Sequence, residues 1–417
     1  MSKLPSIYSD SKRLVELNWL AAKLSDVAPS KALKVEGVDR DQHVWQVNLN
    51  HIESNTGELL DKDIQPYSMA GSSTHWFDER HVLYSKLRPY LNKVLLPSHR
   101  GLGTTELVPM LPDAKRLNRK FLAYYLRSKG FVDWISTQTA GAKMPRVSMK
   151  VFWEHKIPLP PLDEQKKIAA ILDAADALRQ KDAQLIAKYN ALSQSLFLDM
   201  FGDPVTNPMG WSFIEIKEVM DGKACNGFFA KKEHYTETGV PIVWITDFIN
   251  KDYVQTSGLR KVSIDSGSVA KYRLCYADVL FCRSSLTVEG IGKCSIVPKS
   301  ISEDILFECH IIKIRLGAEV IPEYFKYLSD TPYFRGQIMK NAKTSTMTTI
   351  AQEGIVNTKI PLPPVTLQDQ FTDRIQAIEA QKQQAQAALQ KSEDLFNSLL
   401  QRAFKGELTQ EREVSHA

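Results

Sequence analysis

The sequence predicts an α+β protein in which two similar mixed α/β domains are separated by a long antiparallel two-helix coiled coil, with a pseudo-two-fold internal repeat. Three observations predict this architecture. The pentapeptide IPLPP at residues 157–161 recurs at residues 360–364, an offset of 203 residues. Each copy precedes a long helical apolar pattern with no internal Pro or Gly. The segments before the two copies carry the alternating and β-branched runs typical of strands.

The length of the chain favours more than one domain. Its 417 residues exceed the roughly 250 to 300 at which a single core stops growing. The turn-rich stretch at residues 202–211 marks the junction between the two halves. The predicted parts are a first domain at 1–157, a first spacer helix at 158–203, a second domain at 204–360, and a second spacer helix with a C-terminal tail at 361–417.

Each domain is predicted to mix strands with short helices. Residues 43–49, 82–84 and 310–316 read as strands, whereas 121–126 and 324–328 read as helices. Upstream of the IPLPP copies the repeat continues with a drifting offset. Val82 to Lys86 parallels Val279 to Arg283 at an offset of 197, and Trp19 parallels Trp211 at an offset of 192. The two domains are therefore expected to share a fold and to differ in their loops.

The two long helices carry apolar residues in alternating 4-3 spacing, which is typical of a coiled-coil seam. Antiparallel pairing is expected, because it places one domain at each end of the pair. Two unrelated surface helices, each packed on its own domain, are the alternative. The predicted coiled-coil and subunit-interface residues are Ile171, Leu178, Leu185, Leu192, Leu196, Phe371, Ile375, Ile378, Leu389 and Leu399.

Composition and charge exclude several classes of protein. No apolar run reaches the roughly 20 residues of a membrane span, and no signal peptide is recognisable, so a cytoplasmic protein without membrane contact is expected. The five cysteines show no CxxC pair, which favours reduced thiols over disulfides or zinc. The net charge is +5, and residues 1–161 hold 23 Lys+Arg against 16 Asp+Glu. This mild excess fits a nucleic-acid partner without requiring one.

Catalytic and metal-binding patterns are not found, so no catalytic residue and no metal site is predicted. The sequence contains neither GxGxxG nor GxxxxGK[ST], and no Asn or Asp is followed by Pro-Pro and an aromatic residue. Asp113 with Glu154, His155 and Lys156 resembles a nuclease cluster only superficially, since the second repeat keeps the Lys and lacks the acid. His75 and His81 read as core or solvated histidines.

Basic loops interleaved with aromatic or hydroxyl side chains are the remaining informative surface. Lys86 and Arg283 occupy equivalent repeat positions, which favours a phosphate-positioning role, and a structural salt bridge is the alternative. Their loop neighbours are candidates for sequence-dependent contacts, and solvated loops are the alternative for each stretch. The predicted DNA-binding residues are Lys86, Arg88, Tyr90, Lys93, Lys143, Arg146, Arg283, Lys343, Thr346 and Thr348.

The order of these parts resembles the specificity (S) subunit of type I restriction-modification enzymes. The resemblance covers essentially the whole chain. It rests on IPLPPLDEQ at 157–165 with its helix, the junction residues FGDP at 201–204 and GW at 210–211, and the ending AFKGEL at 403–408. The second copy departs at residues 368–370, where Gln-Asp-Gln stands in place of Glu-Gln.

The resemblance implies that each domain is a target-recognition domain that reads one half of a bipartite asymmetric DNA site. It further implies two methyltransferase (M) subunits that bind S-adenosylmethionine, and restriction (R) subunits that use ATP and Mg. This chain itself is then expected to bind no cofactor and to be non-catalytic. A stand-alone DNA endonuclease or modification enzyme and a coiled-coil scaffold that does not bind DNA are the alternatives.

Overall fold

The computed structural model describes residues 17, 19–141, 143–301, 303–344 and 346–409. The predicted first domain therefore extends beyond the described residues at 1–16, as does the predicted C-terminal tail at 410–417. Contacts divide the chain into two compact units, one formed by residues 1–184 with 386–417 and the other by residues 185–385. Each unit combines one predicted domain with a part of both predicted long helices.

In the described residues, the helices are α1 Leu24–Val27, α2 Arg119–Arg127, α3 Lys129–Ser136, α4 Met149–Glu154, α5 Leu162–Phe201, α6 Ile245–Phe248, α7 Ser266–Tyr272, α8 Pro322–Ser329, α9 Pro332–Asn341, α10 Gln352–Val356 and α11 Val365–Ala403. The strands are β1 Leu20–Lys23, β2 His43–Val47, β3 Asp63–Pro66, β4 Thr74–Phe77, β5 Val82–Ser85, β6 Val94–Leu95, β7 Gly101–Thr104, β8 Leu107–Met110, β9 Thr139–Ala140, β10 Arg146–Val147, β11 Lys156–Leu159, β12 Phe213–Glu215, β13 Cys225–Asn226, β14 Tyr235–Val243, β15 Arg260–Val262, β16 Asp278–Cys282, β17 Ser284–Ser285, β18 Cys294–Ile296, β19 Leu306–Phe307, β20 Ile311–Arg315, β21 Lys343–Thr344, β22 Thr348–Thr349 and β23 Lys359–Pro361.

The first unit is built on two main sheets and a short strand pair, besides the hairpin β9-β10. Their strand orders are β3-β2-β7-β4, β6-β5-β8 and β1-β11. In the strand pair, Leu20 lies opposite Leu159 and Ala22 opposite Ile157, so the first IPLPP copy begins as a strand that closes the domain. The predicted helix at 121–126 lies within α2, where all six of these residues are buried.

The second unit repeats this plan. Its main sheets have the orders β13-β20-β16-β18 and β15-β14-β19. The pair β12-β23 places Ile214 opposite Ile360, as β1-β11 does for the first copy. The predicted strand at 310–316 is β20, and the predicted helix at 324–328 lies within α8. The two domains thus share the strand pairing around IPLPP and differ in the order of strands in their main sheets.

A buried glutamine joins each domain to the start of its long helix. The Gln165 side chain accepts the backbone N–H of Asn118 at 2.8 Å and donates to the carbonyls of Arg116 and Pro160 at 2.9 and 2.8 Å. Gln368, 203 residues later, repeats all three bonds, accepting from Ile321 at 2.8 Å and donating to two carbonyls. The second copy therefore keeps the structural glutamine, and its departure falls at Leu367, where the first copy has Glu164.

The two long helices are nearly equal in length, since α5 has 40 residues and α11 has 39. The predicted apolar positions of α11 lie inward: Phe371 and Ile375 are buried, and Ile378, Leu389 and Leu399 are half-buried.

The predicted seam of α5 is wrong in phase. Leu196 is half-buried, but Ile171, Leu178, Leu185 and Leu192 are 37 to 50% exposed. The buried side carries Ile168, Leu172, Ala175 and Phe197. Ile168 and Leu172 are the repeat equivalents of Phe371 and Ile375, so both helices bury the same face. Two adjacent apolar stripes run along α5. The residues predicted from the 4-3 spacing lie on the exposed stripe.

Within each unit, a segment of α5 packs with a segment of α11. In the first unit Ile168 and Leu172 share one core with Phe396, Leu400 and Ala403. In the second unit the rings of Phe197 and Phe201 lie 5.8 and 5.3 Å from the ring of Phe371. Each long helix therefore contacts both a domain and part of the other helix.

Equivalent ion pairs tie the helices to the domains. Arg179 pairs with Asp176 at 2.7 Å and reaches Glu58 of the first domain at 3.4 Å. Lys382, its repeat equivalent, pairs with Glu379 at 3.2 Å and reaches Asp252 of the second domain at 3.1 Å. Burial raises the pKa of Asp252, but the charges of Lys326 and Lys382 outweigh it and hold the pKa below its usual value.

Candidate nucleic-acid interface

Lys86 and Arg283 have equivalent backbone environments directly after β5 and β16. The Lys86 N–H donates to Glu106 and its carbonyl accepts from Val147, at 3.0 and 2.9 Å. The Arg283 N–H donates to His310 and its carbonyl accepts from Ile350, at 2.9 and 3.0 Å.

Both cationic side chains are half-buried. The Arg283 guanidinium donates to the carbonyl of Cys309 at 3.3 Å. Among the described residues neither Lys86 nor Arg283 has a carboxylate within salt-bridge distance, so the alternative of a shared structural salt bridge is not realised in this part of the chain.

The loops that the sequence singled out gather beside these two cations. In the first unit Leu87 bridges to Arg146, and the N–H of Arg88 donates to the carbonyl of Pro145 at 2.8 Å. In the second unit Ser284 lies opposite Thr349, so the hairpin β21-β22 borders the strand after Arg283. The fold thus brings each predicted cation and its neighbouring hairpin together within one domain.

Four of the five loop candidates in the first domain are exposed, and three of these four form no ion pair among the described residues. Arg88, in the left-handed region at φ 48°, Tyr90 and Lys143 are exposed. Lys93 is different, because its ammonium donates to the carbonyl of Leu49 at 2.7 Å and burial lowers its pKa, which favours a structural role. Arg146 is exposed but pairs with Glu106 at 2.9 Å.

In the second domain Lys343 and Thr346 are exposed, as a contact residue must be. The expectation for Thr348 is wrong. Its side chain is buried, and its hydroxyl lies 3.1 Å from the hydroxyl of Thr344 across the hairpin. The strand pairing of β21 with β22 turns Thr348 inward, and a short run of threonines does not show which of them faces the solvent.

The residues of the superficial nuclease pattern have structural partners. Glu154 forms an ion pair with Lys23 at 2.7 Å, and Asp113 accepts the backbone N–H of Lys115 at 3.0 Å. His155 lies 2.7 Å from the hydroxyl of Tyr125, and burial lowers its pKa to about 4.

Of the two histidines read as core or solvated residues, His81 is buried and His75 is half-buried. His81 is buried between Asp78 and the carbonyl of Lys31, each 2.8 Å from a ring nitrogen. Burial, with the charges of His81 and Lys86, lowers the pKa of His75 to about 4. Both environments are structural and do not resemble a catalytic pair.

One group of metal-ligand types occurs in the described residues. The side chains of Glu308, Cys309 and His310 place their ligand atoms within 4.8 Å of one another. The Glu308 carboxylate already accepts the backbone N–H of His310 at 2.9 Å, which closes a turn. All five cysteines are free thiols, and burial raises the pKa of Cys282 and Cys294 to about 11.

Two grooves carry cationic and aromatic side chains outside the predicted DNA-binding residues. In the second domain a groove of about 1130 Å³ is lined by Tyr235, Trp244, Arg260 and Lys261, among others. In the first domain a groove of about 370 Å³ is lined by Arg40, Tyr67 and Trp76, among others. The lining residues come from separated segments, so no short motif marks them.

The family model for the type I restriction modification DNA specificity domain matches residues 104–188 and 208–391. The chain belongs to this family. The match covers the last third of the first domain, nearly all of the second domain and most of both long helices. In the described residues, no helix is both long and apolar enough to cross a membrane.

Curated relatives in the same family are type I specificity subunits. The EcoKI specificity subunit of Escherichia coli K12 is 26% identical over 316 residues, which cover 72% of this chain and 68% of the relative. The MjaVIII specificity subunit of Methanocaldococcus jannaschii is 26% identical over 305 residues, covering 67% of this chain and 68% of the relative.

Solved structures of this family share the fold. The S subunit of a type I restriction-modification system from M. genitalium aligns with a TM-score of 0.53 at 14% identity, covering 96% of this chain and 99% of that one. A chain from a study of complex assembly in the type I R-M system aligns with a TM-score of 0.51 at 20% identity, covering 94% and 98%. Like other members of the family, the chain is a specificity subunit that serves DNA sequence recognition.

Proposed function

We propose that this specificity subunit reads a bipartite asymmetric DNA site, one half with each target-recognition domain, and that α5 and α11 form an antiparallel coiled coil that sets the spacer between the halves. The observation that carries the proposal is the duplicated domain within a chain of the specificity family. Two domains that share the strand pairing around IPLPP and differ in the strand order of their main sheets suit two different half-sites.

The contacts inside each unit support antiparallel pairing. Early residues of α5, such as Leu172, share a core with late residues of α11, such as Leu400. Late residues of α5, such as Phe197, pack against Phe371 near the start of α11. Helices that meet in this order run in opposite directions, and a spacer made of such a pair suits half-sites about one turn, ~34 Å, apart.

The exposed stripe of α5 supports docking of the methyltransferase subunits on the long helices. We define this stripe as Ile171, Leu178, Leu185 and Leu192, which recur every seven residues and so follow one face of the helix. Apolar side chains exposed in a row are typical of a protein interface. On this proposal S-adenosylmethionine, ATP and Mg belong to the M and R subunits, and this chain is a non-catalytic, cytoplasmic DNA-binding partner.

Domain exchange tests the proposal. The chain is co-expressed with its methyltransferase subunits, and the methylated sequence is read from the genome of the host. Residues 208–357 are then replaced by the equivalent segment of another specificity subunit. We expect one half of the methylated site to change while the other half is retained. A change in both halves, or in neither, would contradict the proposal.

A further inference from the structure

We propose that Arg260, whose guanidinium lies over the ring of Trp244, reads a guanine in the half-site of the second domain, with Lys232 and Lys261 contacting the flanking phosphates. This inference rests on the proposed function and assigns the base-reading role to residues outside the hairpins selected from the sequence.

The Arg260 side chain lies over an aromatic ring. The guanidinium carbon of Arg260 lies 4.1 Å from the ring centroid of Trp244. Arg260 is exposed at the start of β15, and Trp244 is half-buried, with its ring 5.7 Å from that of Tyr235. Stacking on an aromatic face fixes the plane of a guanidinium and leaves its N–H edge available. Such an edge matches the O6 and N7 acceptors of guanine in the major groove.

Other arginines of this unit bind protein acceptors. Arg315 pairs with Asp278 at 2.7 Å, Arg273 with Asp304 at 3.0 Å, and Arg335 donates to a carbonyl at 3.1 Å. Among the described residues no protein oxygen accepts a hydrogen bond from the Arg260 guanidinium. An arginine that is fixed in orientation and has unused donors is prepared for an external acceptor.

The lining of the groove carries more positive than negative side chains. Lys232 and Lys261 line it with Arg260, and neither has a carboxylate within salt-bridge distance among the described residues. Glu237 is the acid in the lining, and it forms no ion pair with these cations in the same described part of the chain. Three cations around an aromatic floor suit a duplex, because phosphates bind the lysines while the arginine edge reaches a base.

The position of the groove relates it to Arg283. Ala230 lines the groove, and Phe228, two residues earlier, bridges to Glu308. The guanidinium and backbone of Arg283 bind the carbonyls of Cys309 and His310. The groove and the predicted phosphate-positioning arginine therefore border the same short segment, so a duplex on one could reach the other.

The first domain contains the same chemistry on different elements. The guanidinium carbon of Arg100 lies 5.5 Å from the ring centroid of Trp76, whose ring is 5.8 Å from that of Tyr67. Trp76 lies on β4, whereas Trp244 follows β14, so the two clusters are not copies by repeat alignment. An arginine, a tryptophan and a tyrosine at different positions suit domains that read different half-sites.

The experiment uses the complex with the methyltransferase subunits. The methylated site of the wild-type complex is determined first, and Arg260→Lys is compared with Arg273→Lys, a matched change at an exposed, ion-paired arginine of the same unit. Lysine keeps the charge and loses the planar pair of donors. For Arg260→Lys we expect about 10-fold weaker binding to the cognate duplex, relaxed methylation at one G·C pair of the second half-site, and unchanged binding to non-cognate duplex. Trp244→Leu should give the same relaxation, and Trp244→Phe should largely restore selectivity.

Several outcomes would overturn the assignment. One is a second half-site without a G·C pair. Another is full selectivity in Arg260→Lys. A third is equal weakening of cognate and non-cognate binding by Arg260→Ala with a salt slope lower by about one, since this pattern belongs to a phosphate contact. If the wild-type complex modifies no bipartite site, the proposed function fails as well, whereas a normal wild-type site with a silent Arg260 variant rejects only this inference.

Discussion

Replacement of Gln165 by alanine should strongly destabilise the first unit, because this one side chain holds three backbone groups. The carboxamide is fully buried and makes hydrogen bonds of 2.8, 2.9 and 2.8 Å to the segments at 116–118 and 160. Each bond contributes about 1 kcal/mol, and a buried group left without its partner costs about 1 to 3 kcal/mol. With partial replacement by water, we expect the free energy of unfolding to fall by about 3 to 5 kcal/mol.

The assay is denaturant unfolding of the full chain, followed by tryptophan fluorescence. Gln368→Ala should lose a similar amount, because Gln368 makes the same three bonds. The control is Gln370→Ala, which changes an exposed glutamine two residues further on and should change stability by less than about 0.5 kcal/mol. If Gln165→Ala loses no more than the control, the glutamine is not the joint between domain and helix.

The remaining predictions concern DNA, subunits, spacing and pH. Lys86→Ala and Arg283→Ala should weaken cognate and non-cognate binding alike and lower the salt slope by about one each; an unchanged slope would reject the phosphate role. Leu185→Asp on the exposed stripe should leave the thermal unfolding of the isolated chain unchanged and reduce pull-down of the methyltransferase subunit at least about 10-fold. Ala187→Asp on the same helix is the matched control, and equal capture by both variants would show that the stripe is not the docking face. Deleting about four residues from each long helix shortens the pair by ~6 Å, and the preferred DNA spacer should shrink by one or two base pairs with the half-sites retained; methylome sequencing that finds the old spacer would contradict the ruler. The pKa of His155 in the folded chain is about 4, below its ordinary 6.5, so the unfolded chain takes up the proton at a higher pH than the folded chain. The free energy of unfolding should therefore fall as pH drops from about 6.5 to 4. His155→Gln should lose this part of the pH dependence in urea titrations at pH 7 and 4.5.

Much of the fold could be predicted because repetition is a sequence property. The two IPLPP copies and the uninterrupted apolar patterns after them predicted the helix lengths and the equivalence of β1-β11 with β12-β23. The alignment of Lys86 with Arg283 likewise follows from the strand pattern, and their backbone bonds are equivalent.

The sequence predicted candidate site residues only where these residues lie in one continuous loop. Arg88, Lys143 and Lys343 are exposed as expected, but Thr348 is buried by the pairing of its hairpin. Arg260 lies on β15 and Trp244, 16 residues earlier, directly follows β14, so their contact depends on how β15 pairs with β14. A linear pattern does not contain that pairing.

The sequence by itself determined the duplication, the secondary structure around it and the face of α11 that is buried, since each depends on residue order within one element. The tertiary structure decided which stripe of α5 faces inward. Ile171 and Ile168 are equally apolar, and only the packing of Ile168 in the core with Phe396 and Leu400 separates them. The tertiary structure also places Asp176 and Arg179 on the buried side of α5. Their ion pair makes this possible, because two paired and hydrogen-bonded charges can be buried at a lower cost in free energy than either charge alone.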